Sequence, residues 1–111
     1  MNRFMIVVNP DKDTDSTVTN RIQSYLEAHG AACMVRDVFH LESSDWEALK
    51  KEQFDCVLVL GGDGTLLRMA GETEDIDIPL FGINLGTVGF LTEGEVANIE
   101  EILDRLLTDD F

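Results

Sequence analysis

The sequence predicts an α/β fold, a doubly wound parallel sheet with helices on both faces. Three observations predict it. Short, continuously apolar runs read as strands buried on both sides. Segments with apolar residues at helical spacing alternate with those runs. Two of the runs lead into glycine-rich turns, where a parallel strand hands over to a helix.

Phe4 to Val8 is the first strand, halted by the turn Asn9-Pro10. A helix follows with Val18, Ile22, Tyr25 and Leu26 on one face, Asp or Ser before it, His29 in its last turn and Gly30 behind it. Ala31 to Val38 is the second strand. Ser44 with Glu47 has the spacing of a capping box, which opens a short helix through Trp46, Leu49 and Lys50. Phe54 to Leu60 is the most apolar strand and runs directly into Gly61-Gly62-Asp63-Gly64-Thr65. Leu66, Leu67, Met69 and Ala70 then form a helix ending near Gly71. Pro79 to Ile83 is the fourth strand, Asn84 to Gly94 a glycine-rich loop, and Thr92 with Glu95 a second capping box. The last helix carries Val96, Ile99, Ile102, Leu103 and Leu106, a stripe that reads as core.

With 111 residues the chain accommodates one domain, residues 1–111, and no second complete one. Apolar residues at 44% against charged residues at 27% give a balance that folds. The net charge of −14, from 22 acidic and 8 basic side chains, argues against nucleic acid and anionic membrane as partners. It also means that any bound phosphate must be held by backbone amides, by a metal, or by charge supplied from elsewhere. Cys33 and Cys56 lie in apolar segments without a cysteine partner at metal-ligand spacing, and read as two buried thiols in a reducing cytoplasm. His29 and His40 lack partners at metal spacing. Met1 to Pro10 reads as a strand-like run without the long apolar stretch and small-residue cleavage pattern of a signal peptide, and no run approaches the roughly twenty apolar residues of a membrane span.

Both glycine-rich loops are expected at the carboxyl edge of the sheet, where such folds bind ligands. Gly61 to Thr65 sets bare amides at a helix N-terminus, a ready anion site. It lacks the lysine of a Walker A loop and the spacing of a dinucleotide fingerprint. Its distinguishing member is Asp63. A carboxylate beside phosphate is repulsive unless it binds a metal or takes up a proton, which suggests a base toward an attacking hydroxyl. The alternative is a residue that caps the helix. Arg68 is either a bidentate phosphate donor or half of a surface pair. Asn84 either donates to a ligand or turns the chain, and Phe90 either walls an adenine or folds under its own loop. Lys12, after the first strand, either supplies positive charge at the crevice edge or is a solvated turn lysine.

The run Val59-Leu60-Gly61-Gly62-Asp63-Gly64-Thr65-Leu66-Leu67-Arg68 resembles the glycine-aspartate signature shared by NAD kinases, diacylglycerol and sphingosine kinases, and 6-phosphofructokinases. The segment Pro79-Leu80-Phe81-Gly82-Ile83-Asn84-Leu85-Gly86-Thr87-Val88-Gly89-Phe90-Leu91-Thr92 is similar to the NAD kinase pattern and unlike the lipid kinases. With Asn9-Pro10 after strand one, the resemblance to the N-terminal half of an NAD kinase spans nearly the whole chain.

The resemblance implies a Rossmann-like or phosphofructokinase-like three-layer N-terminal domain. The family's β-rich C-terminal domain, with its Asn-Glu pair, is expected to lie outside these residues, and the chain is expected to stop at a domain boundary at Asp109-Asp110-Phe111. It further implies transfer of a phosphoryl group from ATP or inorganic polyphosphate to the adenosine ribose 2′-hydroxyl of NAD, giving NADP. Asp63 matches the catalytic base. Gly61, Gly62, Gly64 and Thr65 match the phosphate-approaching loop, Leu67 a residue near the nucleotide, and Phe90 the aromatic lining the adenine site. Arg68, Asn84 and Gly86 complete the binding set, and Leu91 stands where some members carry tyrosine. Magnesium or another divalent metal is expected, without an identifiable protein cluster in this chain. The full-length protein is expected to be a cytoplasmic homo-oligomer, dimer or tetramer, and the isolated chain to fold but remain inactive. The competing readings are another kinase of the same superfamily, of diacylglycerol or phosphofructokinase type, and a non-catalytic doubly wound module of flavodoxin or receiver type.

Overall fold

Four parallel strands in the order β2-β1-β3-β4 form the sheet of the computed structural model, which describes residues 1–84 and 99–108. The strands are β1 (Arg3–Val8), β2 (Ala32–Asp37), β3 (Cys56–Gly61) and β4 (Leu80–Asn84). The helices are α1 (Thr17–Ala28), α2 (Ser43–Lys51), α3 (Asp63–Glu72) and α4 (Ile99–Leu107). The expected second capping box at Thr92 and Glu95, Val96 of the last helix, and Gly86, Phe90 and Leu91 lie outside the described residues.

Because side chains alternate across a strand, the continuous apolar runs serve two cores at once. Phe4, Ile6, Cys56, Leu58 and Leu60 face one way, against Ile22 and Leu26 of α1 and Ile99, Leu103 and Leu106 of α4. Met5, Val7, Val57 and Val59 face the other, against Leu49 of α2 and Met69 of α3. Every residue of β3 is buried, so full burial of its side chains contributes on the order of 1.5–3 kcal/mol each against the chain entropy lost on folding. The three-layer architecture is therefore the one predicted.

Local boundaries differ from expectation for identifiable reasons. The first residues of α1 are capped by Asp13 rather than by the preceding serine. Ser16 sits in the left-handed region at φ 59 and makes no side-chain cap bond. Asp13, only 7% exposed, accepts from the Val18 amide (3.2 Å), the Thr19 amide (2.8 Å) and the Thr19 hydroxyl (2.7 Å). The helix ends at Ala28, with His29 as its C-cap and Gly30 at φ 87 turning the chain into β2.

The capping box of α2 is formed by Glu42 and Asp45, not Ser44 and Glu47. Asp45 bonds the Glu42 amide at 2.9 Å and is held from β2 by Arg36 Nε, also at 2.9 Å, a tertiary contact that spacing alone does not reveal. β3 starts at Cys56 rather than Phe54, because the Phe54 amide still reaches back to Leu49 of α2, through Gln53 at φ 55. Gly71 lies inside α3, which ends at Glu72, with Thr73 as its C-cap. In α4, Ile99, Leu103 and Leu106 are buried as expected, but Ile102 is 39% exposed and lies at the rim of the stripe.

Candidate functional site

The site is set by the point where the winding direction of the sheet reverses. After β1 the chain passes to α1 on one face. After β3 it passes to α3 on the other, since α1 and α3 pack into opposite cores. The two outgoing turns therefore diverge and leave a crevice between neighbouring strands at their carboxyl ends. The register Gly61↔Asn84 puts the end of β4 at this same edge, so the chain leaves for residues 85–98 beside the Gly61–Thr65 turn.

The turn itself is sparse in side chains. Gly62 is the N-cap of α3, in extended backbone at φ −97 and ψ −173, and offers no side chain to the helix amides. Asp63 occupies the first helical position. The first intrahelical bond runs from the Leu66 amide to the Gly62 carbonyl at 3.2 Å, so the amides of Asp63, Gly64 and Thr65 have no partner within the helix. Uncapped amides carry the positive end of the helix dipole, which answers in part how so acidic a chain could hold phosphate.

The three glycines of the turn serve different ends. A Cβ on Gly61 would stand 2.8 Å from Thr65 Oγ1 and 3.0 Å from Thr65 Cβ, so glycine there lets the first turn of α3 close on the strand. Gly82 of β4 does the same for Leu66, whose Cδ2 would be 2.8 Å from an added Cβ. Gly62 and Gly64 have nothing within 4 Å of that position, and neither has a positive φ. Packing and backbone conformation thus leave the choice of glycine at both unexplained, although glycine inside a helix costs about 1 kcal/mol relative to alanine. At both positions the main chain is left open on the side where a Cβ would stand.

Thr65 also receives a hydrogen bond from Asn9 Nδ2 at 3.4 Å, and the Asn9 amide donates to the Leu60 carbonyl at 2.8 Å. Leu67 is 73% exposed on the first turns of α3. Arg68 pairs with Glu72 at 3.4 Å, so its surface-pair reading is the one the free chain adopts. Asn84 is the last residue of β4. The other predicted members, Gly86 and Phe90, fall outside the described residues. Asn9 is the member that sequence reasoning passed over: Asn9-Pro10 was legible as a strand stop, whereas its contact across the crevice is not encoded in spacing.

Among the described residues, no group of three or more histidines, cysteines or carboxylates could hold a metal. Burial pushes the Cys33 thiol up to about 11 and the Cys56 thiol up to about 12, and both flank Phe4 near the start of β1, far along the strands from the turn. They are inert. A polar hollow of about 520 Å³ lined by Met1, Asn2, His29, Asp55 and Leu107 lies at that amino edge too, where Asp55 accepts from the amides of Asn2 and Arg3. It is remote from the crevice.

The family defined by the ATP-NAD kinase N-terminal domain matches residues 4–111. The chain belongs to the NAD kinase family. Curated NAD kinases match it throughout. That of Agathobacter rectalis is 39% identical over 114 residues, covering 100% of this chain and 40% of the relative. That of Thermococcus gammatolerans is 36% identical, covering 98% and 41%, and that of Mycolicibacterium paratuberculosis 32% identical, covering 96% and 41%. The chain thus spans about 40% of the length of the NAD kinases it matches. A solved structure from Bacillus anthracis, assigned as a diacylglycerol kinase, superposes with a TM-score of 0.66 at 22% identity, over 95% of this chain and 41% of that one. It shares the fold. No helix among the described residues of this NAD kinase family member is long and apolar enough to cross a membrane.

Proposed function

We propose that the full-length protein carrying this chain is an NAD kinase, moving a phosphoryl group from ATP or inorganic polyphosphate to the adenosine ribose 2′-hydroxyl of NAD. The observation that carries this reading is the bare main chain at Gly62 and Gly64, at an uncapped helix N-terminus in the crevice of the sheet. In this reading Asp63, the first residue of that helix, takes the proton of the 2′-hydroxyl as the oxygen attacks the terminal phosphorus. The bond from that phosphorus to the donor's bridging oxygen breaks in line, and the donor leaves one phosphate shorter. The amides from Gly61 to Thr65 neutralise charge on phosphate oxygens, while Leu67, Arg68, Asn84, Gly86 and Phe90 complete the nucleotide pocket. Arg68 would exchange Glu72 for a phosphate.

A divalent cation, magnesium first, is the cofactor this reading expects, to neutralise donor phosphate oxygens. The described residues hold no cluster for it, so no protein ligand is assigned and no step is derived through it. Residues 1–111 act as the N-terminal α/β domain, the rest of the protein supplying further pocket and oligomer contacts, in the cytoplasm.

Asp63→Asn in the full-length protein is the test. The expected result is retained folding by circular dichroism and a loss of NADP formation of several orders of magnitude. Near-normal turnover would reduce Asp63 to a favourable charge at the helix start, worth about 0.3–1 kcal/mol of stability. The related-kinase reading, to which the shared fold lends support, is tested by offering diacylglycerol and fructose 6-phosphate beside NAD to the same preparation.

A further inference from the structure

We propose that Asn9 is a positioning residue of the phosphoryl-transfer site, acting through Thr65 to hold the Gly61–Thr65 turn in register with the end of β1. The inference rests on the phosphoryl-transfer reading above. It starts from the geometry of the crevice. The turns after β1 and β3 diverge to opposite faces, so beyond the last strand pair, Val8↔Leu60, the sheet ladder no longer ties them together. Asn9 is the residue that does. Its amide donates to the Leu60 carbonyl at 2.8 Å, extending the ladder by one step, and its carbonyl accepts from the Lys12 amide at 3.0 Å.

Those main-chain bonds fix where the side chain begins, and a third bond fixes which way it points. Asn9 Oδ1 accepts from the Asp11 amide at 3.0 Å. With the carboxamide oxygen engaged in its own turn, the NH₂ group is the end left to cross the crevice, and it donates to Thr65 Oγ1. Thr65 is wedged in turn, because Gly61 gives it a seat that a single methyl group would fill, 2.8 Å from that same oxygen. The hydroxyl of Thr65 is therefore gripped between β3 and Asn9, on the last residue of the unpartnered amides and two after Asp63. At 3.4 Å the Asn9 bond is at the long end for a hydrogen bond and contributes little to stability. Its value lies in orientation, since a displacement of about 1 Å at a reacting centre costs on the order of 100-fold in rate.

The test uses the full-length protein and four variants: Asn9→Ala, Thr65→Val, Thr65→Ser and the Asn9→Ala/Thr65→Val double. Wild-type NADP formation is measured first, and its absence would overturn the functional reading and this one with it. Given an active wild type, Asn9→Ala and Thr65→Val are each expected to lower kcat at least tenfold with KM for NAD changed less than threefold. Thr65→Ser, which keeps the hydroxyl, is expected to recover most of the kcat lost in Thr65→Val. The double variant is expected to be no slower than the worse single, because both remove one contact. Multiplying losses in the double would mean that Asn9 acts on the ligand directly, and unchanged kcat with lowered stability would mean a structural role only. Either overturns the proposal while the kinase reading stands. Amide hydrogen exchange at residues 62–66 gives a second readout independent of turnover: faster exchange in Asn9→Ala is expected, and wild-type protection there would overturn the latch.

Discussion

Replacing Gly61 with alanine measures how tightly the motif helix is seated on the sheet. The new Cβ would stand 2.8 Å from Thr65 Oγ1, 3.0 Å from its Cβ and 3.2 Å from its Cγ2. Relaxed contacts between carbon atoms lie at about 3.5–4.0 Å. Rotating Thr65 about χ1 exchanges the two outer atoms but leaves its Cβ where it is, so relief requires the first turn of α3 to move by several tenths of an ångström. Overpacking of this kind costs about 1–3 kcal/mol, and the reduced freedom of the unfolded chain returns about 0.4–1 kcal/mol, since Gly61 has no positive φ. The net expectation is a destabilisation of roughly 1–2 kcal/mol. Chemical denaturation of the full-length protein reads it, alongside Thr65→Ala and the Gly61→Ala/Thr65→Ala double. Truncating Thr65 removes the 2.8 Å and 3.2 Å contacts and keeps the 3.0 Å one. The double should therefore recover part of the loss, with a coupling of about 0.5–1 kcal/mol. Additive effects, or a Gly61→Ala protein more stable than wild type, would refute the seating argument.

Two further outcomes follow from the fold. Asp13→Ala removes the acceptor for three donors at the start of α1 and should cost about 1–2 kcal/mol, whereas Ser16→Ala, which loses no cap bond, should stay within about 0.5 kcal/mol; equal effects in a denaturation series would contradict the assignment of the cap. Burial holds the Cys56 thiol protonated up to about 12, against an ordinary value of 9.0, so the stability tied to it is intact below pH 9 and is lost as pH rises from 9 toward 12, while the unfolded chain gains thiolate. Cys56→Ala should flatten that alkaline decline, and an unchanged slope would show that the thiol does not contribute to it.

The strands were legible because β1 and β3 are buried on both faces, which writes them as unbroken apolar runs. The turn after β3 was legible from its run of glycines, of which Gly61 is required by the seat against Thr65. What escaped the sequence was held by partners distant along the chain. Asp45 became a capping residue because Arg36 of β2 holds it, and the choice of Asp13 among the Asp and Ser residues expected before α1 was made by burial, which placed its carboxylate under two amides and a hydroxyl. Asn9 is the same case within the site: a turn residue in isolation, a crossing contact only once β1 and β3 are neighbours. The strand order, too, could not be read from alternation, which is common to every doubly wound sheet.

The place of β1 in that order bears on how the molecule is made. The first of these four strands to leave the ribosome is an interior one, paired on one side by residues 32–37 and on the other by residues 56–61. Until the latter emerge, this apolar strand has one flank of main-chain donors and acceptors unmet, and no local hairpin can satisfy them because parallel pairing demands a long crossover. The glycine motif that would receive phosphate is thus joined to the very strand whose arrival completes the interior, so the turn takes shape in the same event that buries the centre of the sheet.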